Sequence, residues 1–204
     1  DHQERQTAMK KTNIRSICVF CGAAKGNNPL FEESARRLGT LLAQNGITLV
    51  FGGGNAGLMA AVANAALAVG GEVIGVIPDY LVEREHGHRD VTRLDIVDSM
   101  HERKRRMFDL ADGFISLPGG IGTLEETFEV ITWKQLDMHV KPIAIIDVAG
   151  YWQNLDGLIA ATVEHGFAAP PTRALYRLVA TAEDALDALR EDAIAGPPTD
   201  SARL

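Results

Sequence analysis

Short apolar runs alternate along this chain with longer segments whose apolar residues recur every three or four positions. Ser16 to Phe20, Thr48 to Phe51, Val73 to Ile77, Leu94 to Val97, Gly113 to Leu117, Pro142 to Asp147 and Tyr176 to Ala180 read as strands, the third stopped by Pro78. Between them, Phe31, Ala35, Leu38 and Leu42 fall at helical spacing, and Asn45-Gly46 ends that helix. Further helices are expected over Leu58 to Val69, from Ser99 to about Ala111, and over Leu124 to Leu136, Trp152 to Glu164 and Ala182 to Glu191. Strand-helix alternation with nearly continuous apolar strands predicts a sheet covered on both faces. The expected fold is therefore a single-domain, Rossmann-like, three-layer α/β/α unit with a mostly parallel sheet and right-handed crossovers. The domain should span residues 14–192. Residues 1–13, with Met9 a candidate natural start, read as a disordered extension, and residues 193–204 as a flexible tail.

Two of the strands run into glycine turns that open helices. Phe51 leads into Gly52-Gly53-Gly54-Asn55-Ala56-Gly57, and Leu117 into Pro118-Gly119-Gly120-Ile121-Gly122-Thr123-Leu124-Glu125-Glu126. A glycine turn before a helix start brings free N–H groups to one point and lets an anion approach them. A dinucleotide site would normally place its glycines after the first strand and an acidic residue at the end of the second. Here the first strand ends in Cys-Gly-Ala-Ala and the second in glycines, which weakens that assignment. Gly53 and Gly54 read as clearing space for a ligand, although a tight turn with close helix packing accounts for the same residues. Thr123-x-x-Glu126 fits a capping box, which would make both residues structural. A plain cap, however, does not require three glycines and a proline before it.

Charge adds a second candidate. Arg103-Lys104-Arg105-Arg106 follows closely on a helix start, where cations oppose the helix dipole at ~0.3–1 kcal/mol each. Arg105 and Arg106 are expected to form a solvated face with Glu102, whereas Arg103 and Lys104 suit an anionic ligand. Glu126, placed in the first turn of its helix, should be held ionised by the dipole and neighbouring N–H donors. His86-x-His88 lies in a charged connection and, lacking a third ligand, reads as surface loop more than metal site. His101 and His139 are weaker candidates for lining a site. Trp133 and Trp152 read as core or interface residues.

Composition bounds the rest. With 204 residues, 46% of them hydrophobic, one core can be built. A net charge of −7 and a pI near 5.3 argue against nucleic-acid binding. No apolar run is long enough to span a bilayer, and no secretory leader is visible, so a cytoplasmic protein is expected. Cys18 and Cys21 form a C-x-x-C inside a strand, where residues three apart face opposite ways. They read as structural thiols.

Pro118-Gly119-Gly120-Ile121-Gly122-Thr123-Leu124-Glu125-Glu126 resembles the P-G-G-x-G-T-x-x-E signature of the cytokinin riboside 5′-monophosphate phosphoribohydrolases, long labelled lysine decarboxylase-like. Met100-His101-Glu102-Arg103-Lys104 resembles the second motif of that family at the expected distance upstream, and the similarity runs from about Ile17 to Gly166. The resemblance implies hydrolysis of (N6-modified) adenosine 5′-monophosphates to free base and ribose 5-phosphate, with no metal or organic cofactor, in a homodimer. It carries Arg103 and Glu126 over as catalytic residues. As substrate-binding positions it carries over Glu85, Lys104, Gly119, Gly120, Ile121, Gly122, Thr123, Leu124, Glu125 and Thr132. In N-glycosidic cleavage a carboxylate faces the developing sugar cation, the role expected of Glu126. Two alternatives remain open: a non-catalytic nucleotide-binding or sensor module, and a pyridoxal-phosphate decarboxylase using Lys104 or Lys141. Apolar positions between Phe128 and Leu136 are candidates for a partner surface.

Overall fold

The computed structural model describes residues 14–195, so the expectations for the extension and for residues 196–204 lie outside the described residues. Seven strands form one sheet: β1 (Ser16–Phe20), β2 (Thr48–Phe51), β3 (Val73–Pro78), β4 (Arg93–Val97), β5 (Gly113–Ser116), β6 (Ile143–Ile146) and β7 (Arg177–Val179). Their order is β4-β3-β2-β1-β5-β6-β7, and every pairing is parallel. The sheet is thus wholly parallel where a mostly parallel one was expected. Pro78 does not stop β3 but closes it, opposite Val97 of β4.

Five α-helices lie between strands, α1 (Pro29–Gln44), α2 (Gly57–Ala68), α3 (Met100–Leu110), α4 (Ile121–Gln135) and α5 (Gln153–Glu164), and a sixth, α6 (Ala182–Ala195), follows β7. The last runs on to Ala195, past the expected end of the domain. Successive strand residues feed opposite layers. Ile17 and Val19 pack with Leu38 and Leu42 of α1, Val62 of α2 and Leu186 of α6. Cys18 and Phe20 pack with Met107 of α3, Val130 of α4 and Ile159 of α5. The two buried cysteines therefore belong to opposite layers, Cys18 to the second and Cys21 to the first.

Strand order places the crevice. From β1 the chain proceeds to β2 on one side, and β5 lies on the other, so the connections diverge between β1 and β5. Ligands in such sheets bind beyond the carboxyl ends of the strands at that divergence. The loops after these two strands are joined there, Gly22 N–H donating to the Pro118 carbonyl at 3.0 Å.

Candidate active site

Helix α4 begins earlier than the capping pattern suggests. Its N-cap is Gly120, with φ −88° and ψ −159°, and no side chain caps it. Thr123 is already helical and buried, and a Cβ on Gly119 would overlap its hydroxyl, so the glycine is what admits the threonine. Glu126 consequently lies in the second turn, and the predicted Thr123–Glu126 capping box does not form. The first helical hydrogen bond runs from Leu124 N–H to the Gly120 carbonyl, 3.1 Å. The N–H groups of Ile121, Gly122 and Thr123 have no protein acceptor among the described residues. Gly120 and Gly122 have open space where a Cβ would stand.

The other glycine turn is spent on the protein itself. A Cβ on Gly52 would overlap the Arg103 guanidinium; one on Gly54 would press on Met59 and the Glu85 carbonyl. Gly57 takes φ +57° against the backbone of Ala23 and Ala24. The start of α2 is occupied as well, since Leu58 and Met59 N–H both donate to the Gly22 carbonyl at 3.0 and 3.2 Å. Of this turn only Gly52 reaches the cavity described next; Gly53 and Gly54 lie outside its lining.

A cavity of about 230 Å³ lies where these parts meet, lined by Arg103, Glu126, Glu85, Gly120, Gly122 and Thr123 together with Phe20, Cys21, Met59, Leu81 and Met100. Arg103 is almost wholly buried and well partnered. Its Nε donates to the Val76 carbonyl at 3.0 Å, and its Nη2 to the Gly52 carbonyl at 2.5 Å and to Glu85 at 3.1 Å. Its Nη1 meets the Met100 sulfur at 3.9 Å. A buried guanidinium held by three acceptors, one within β3, one just after β2 and one in the connection after β3, is fixed in direction.

Glu126 differs electrostatically from expectation. Its carboxyl is pushed up to about 7, chiefly by burial; Arg103 opposes the rise, Glu125 and Glu85 add to it, and Lys104 opposes it. The helix start lies a turn away, and desolvation in the cavity outweighs it, so the carboxyl is not held firmly ionised.

A second cavity, of about 360 Å³ and largely apolar, shares Ala23 and Gly120 with the first and adds Phe31, Leu58, Pro118 and Tyr151. The Tyr151 hydroxyl donates to the Gly119 carbonyl and so steadies the glycine turn. Together the two spaces match small-molecule sites of ~300–1,000 Å³. Met59 and Tyr151 carry no signal in the sequence, and Ala23 and Met100, although part of the first loop and of the second motif, are not assigned to the site there; strand order is the signal that would have singled out the loop after β1.

Other candidates fall elsewhere. Lys104 Nζ is held by Glu125 at 2.7 Å and Glu129 at 2.9 Å, and none of the three lines the cavity. Ile121 is exposed, Leu124 packs against the core, and Thr132 donates to the Phe128 carbonyl on an exposed face. Arg105 pairs with Asp109 and Arg106 with Asp95, whereas Glu102 accepts from Asp98 N–H at the helix start. His88 is not a surface residue. It is buried, bonded through Nε2 to Asn64 at 2.6 Å, and accepts from Asp90 N–H at Nδ1, an arrangement of the neutral ring. His139 is buried likewise on the Val130 carbonyl, and His101 is exposed. Lys141 donates to the Phe108 carbonyl, so neither lysine considered for a Schiff base faces the cavity. Among the described residues no group of three or more His, Cys, Asp or Glu side chains could hold a metal ion, and no helix is long and apolar enough to cross a membrane.

The sequence model of the family described as "possible lysine decarboxylase" matches residues 59–189. A probable cytokinin riboside 5′-monophosphate phosphoribohydrolase of Oryza sativa subsp. japonica is 42% identical over 193 residues, 95% of this chain and 78% of that one. A cytokinin riboside 5′-monophosphate phosphoribohydrolase of Arabidopsis thaliana is 42% identical over 184 residues, 90% of this chain and 86% of that one. In fold, the chain is similar to a molybdenum cofactor binding protein from Rippkaea orientalis, with TM-score 0.66 and 20% identity over 89% of this chain and 98% of that one. The molybdenum cofactor carrier protein of Chlamydomonas reinhardtii gives TM-score 0.67 and 19% identity over 88% and 98%. At that identity the likeness concerns the fold. The open helix start, the caged arginine and the cavity carboxyl all stand on the two motifs, and the chain belongs to the "possible lysine decarboxylase" family, that of the cytokinin riboside 5′-monophosphate phosphoribohydrolases.

Proposed function

We propose that this protein hydrolyses the N-glycosidic bond of adenosine 5′-monophosphates, N6-modified ones included, releasing the free base and ribose 5-phosphate. The convergence of Arg103 and Glu126 on one cavity at the open start of α4 carries the assignment. The activity named for the relatives agrees with it.

In this mechanism the phosphate accepts from the N–H groups of Ile121, Gly122 and Thr123, in the space left beside Gly120 and Gly122. Glu126 faces C1′. As the C1′–N bond breaks, its electron pair leaves with the base, and the ionised carboxylate stabilises the oxocarbenium-like sugar. Water then adds at C1′. A carboxyl near 7 can also take the proton of that water and pass it on to the departed base anion, which leaves as the neutral free base, since proton transfer is most efficient when the pKa lies close to the working pH. Arg103, through Nη1, donates toward the departing base. Glu85 orients Arg103. Leu136, Met138 and Val140, exposed just beyond α4, supply an apolar surface for a second copy of the chain. Two buried free cysteines suit a reducing, cytoplasmic setting.

The test is incubation with AMP and with N6-isopentenyladenosine monophosphate, followed by chromatography for free base. The corresponding unphosphorylated nucleosides should react far more slowly. Saturable AMP binding without base release would identify a nucleotide-binding module instead.

A further inference from the structure

Two adjacent residues in each of two helices divide into an inner and an outer pair. Arg103 and Lys104 are neighbours in α3, and Glu125 and Glu126 are neighbours in α4. Successive helical residues point about 100° apart. Arg103 and Glu126 line the cavity, while Lys104 and Glu125 meet behind them, 2.7 Å apart. Glu129, one turn on, takes the same ammonium at 2.9 Å. Only 13% of the Lys104 side chain is exposed, against 76% for Arg105 next to it.

We propose that Lys104 is a positioning residue: its ammonium, clamped between Glu125 and Glu129, locks the helix carrying Arg103 to the helix carrying Glu126 and balances the charge behind that carboxyl. The inference rests on the reading of Arg103 and Glu126 as the reacting pair. It assigns Lys104 a role other than gripping the substrate, which its absence from the cavity wall supports.

Glu126 is faced by Arg103 and Lys104 from α3, by Glu85 from the connection after β3, by Glu125 on its own helix, and by the thiols of Cys18 and Cys21 from β1 and the loop after it. Lys104 lowers the carboxyl pKa and Glu125 raises it. Removing the lysine leaves two carboxylates four residues apart, a repulsive spacing on a helix, with nothing to offset Glu125 beside Glu126.

Lys104→Met should therefore move the acid limb of kcat/KM upward by about half a pH unit, a roughly threefold loss on that limb that disappears at high pH. KM should change equally for AMP and for unphosphorylated adenosine. Lys104→Arg should keep the wild-type profile. The triple variant K104M/E125Q/E129Q should return the limb to the wild-type position or below it, because the charges that the lysine balanced are gone. A KM increase of tenfold or more for AMP alone, not rescued in the triple variant, would make Lys104 a phosphate ligand and overturn the proposal. An unmoved profile in K104M would overturn it as well. Carbon-13 titration of the Glu126 carboxyl in the ligand-free wild type, K104M and triple variant reads the same ordering without turnover. Should the wild type release no base, the proposed activity fails while this titration still decides the role of Lys104.

Discussion

Gly52 lacks a side chain where Arg103 has one: a Cβ on Gly52 would overlap Nη2 of Arg103, which instead donates to the Gly52 carbonyl at 2.5 Å. The glycine turn after β2 thus serves the arginine and reaches a ligand only through it.

Gly52→Ala should displace the guanidinium without unfolding the chain, because this glycine does not need a positive φ. A shift of about 1 Å in a reacting group can cost ~10² in rate, and a loss of that size in kcat/KM with an unchanged circular dichroism spectrum is expected. Arg103→Lys should lose about as much, since an ammonium cannot reproduce the three fixed contacts.

Gly122→Ala separates stability from activity. Gly122 is the second residue of α4 and has open space on its Cβ side. Alanine there should raise stability by about 0.5–1 kcal/mol, as for glycine replacement within a helix. The methyl would occupy room assigned to the phosphate, so KM for AMP should rise. Thermal unfolding and steady-state kinetics on one preparation give both readings, and a more stable enzyme with unchanged KM would place the phosphate elsewhere.

Glu126 should cost stability at neutral pH. Its carboxyl is raised from 4.5 to about 7 on folding. Below pH 4.5 both states hold the proton. As pH rises toward 7 the unfolded chain releases it while the folded protein keeps it, so stability falls. Glu126→Gln lacks this dependence and should be more stable than wild type at pH 8 by up to about 3 kcal/mol. The difference should vanish near pH 4. Denaturant unfolding at the two pH values checks both the size and the sign.

Ionisation of the same carboxyl predicts the acid limb of the rate profile. If the carboxylate confronts C1′, kcat/KM should climb through about pH 7 and level off above it. The second phosphate ionisation of the substrate, at ~6, lies lower and is the same for every variant. A profile flat from pH 5 to 8 would remove Glu126 ionisation from the reaction.

The chain's own pattern determined the alternation of strands and helices, the two glycine corners after β2 and β5, and the opposed cysteines in β1 and just after it. Those features depend on residues a few positions apart, which is what periodicity records. Tertiary structure decided what each feature does. Gly52 answers to an arginine 51 residues away, Gly57 to the loop after β1, and the start of α2 to the Gly22 carbonyl. Lys104 is claimed by α4 before any ligand. Glu126 sits where burial from several elements outweighs the helix start nearby. Steric clearance and desolvation are sums over atoms distant in sequence, so a motif fixes which groups are present while the packed fold fixes which of them remain free to meet a substrate.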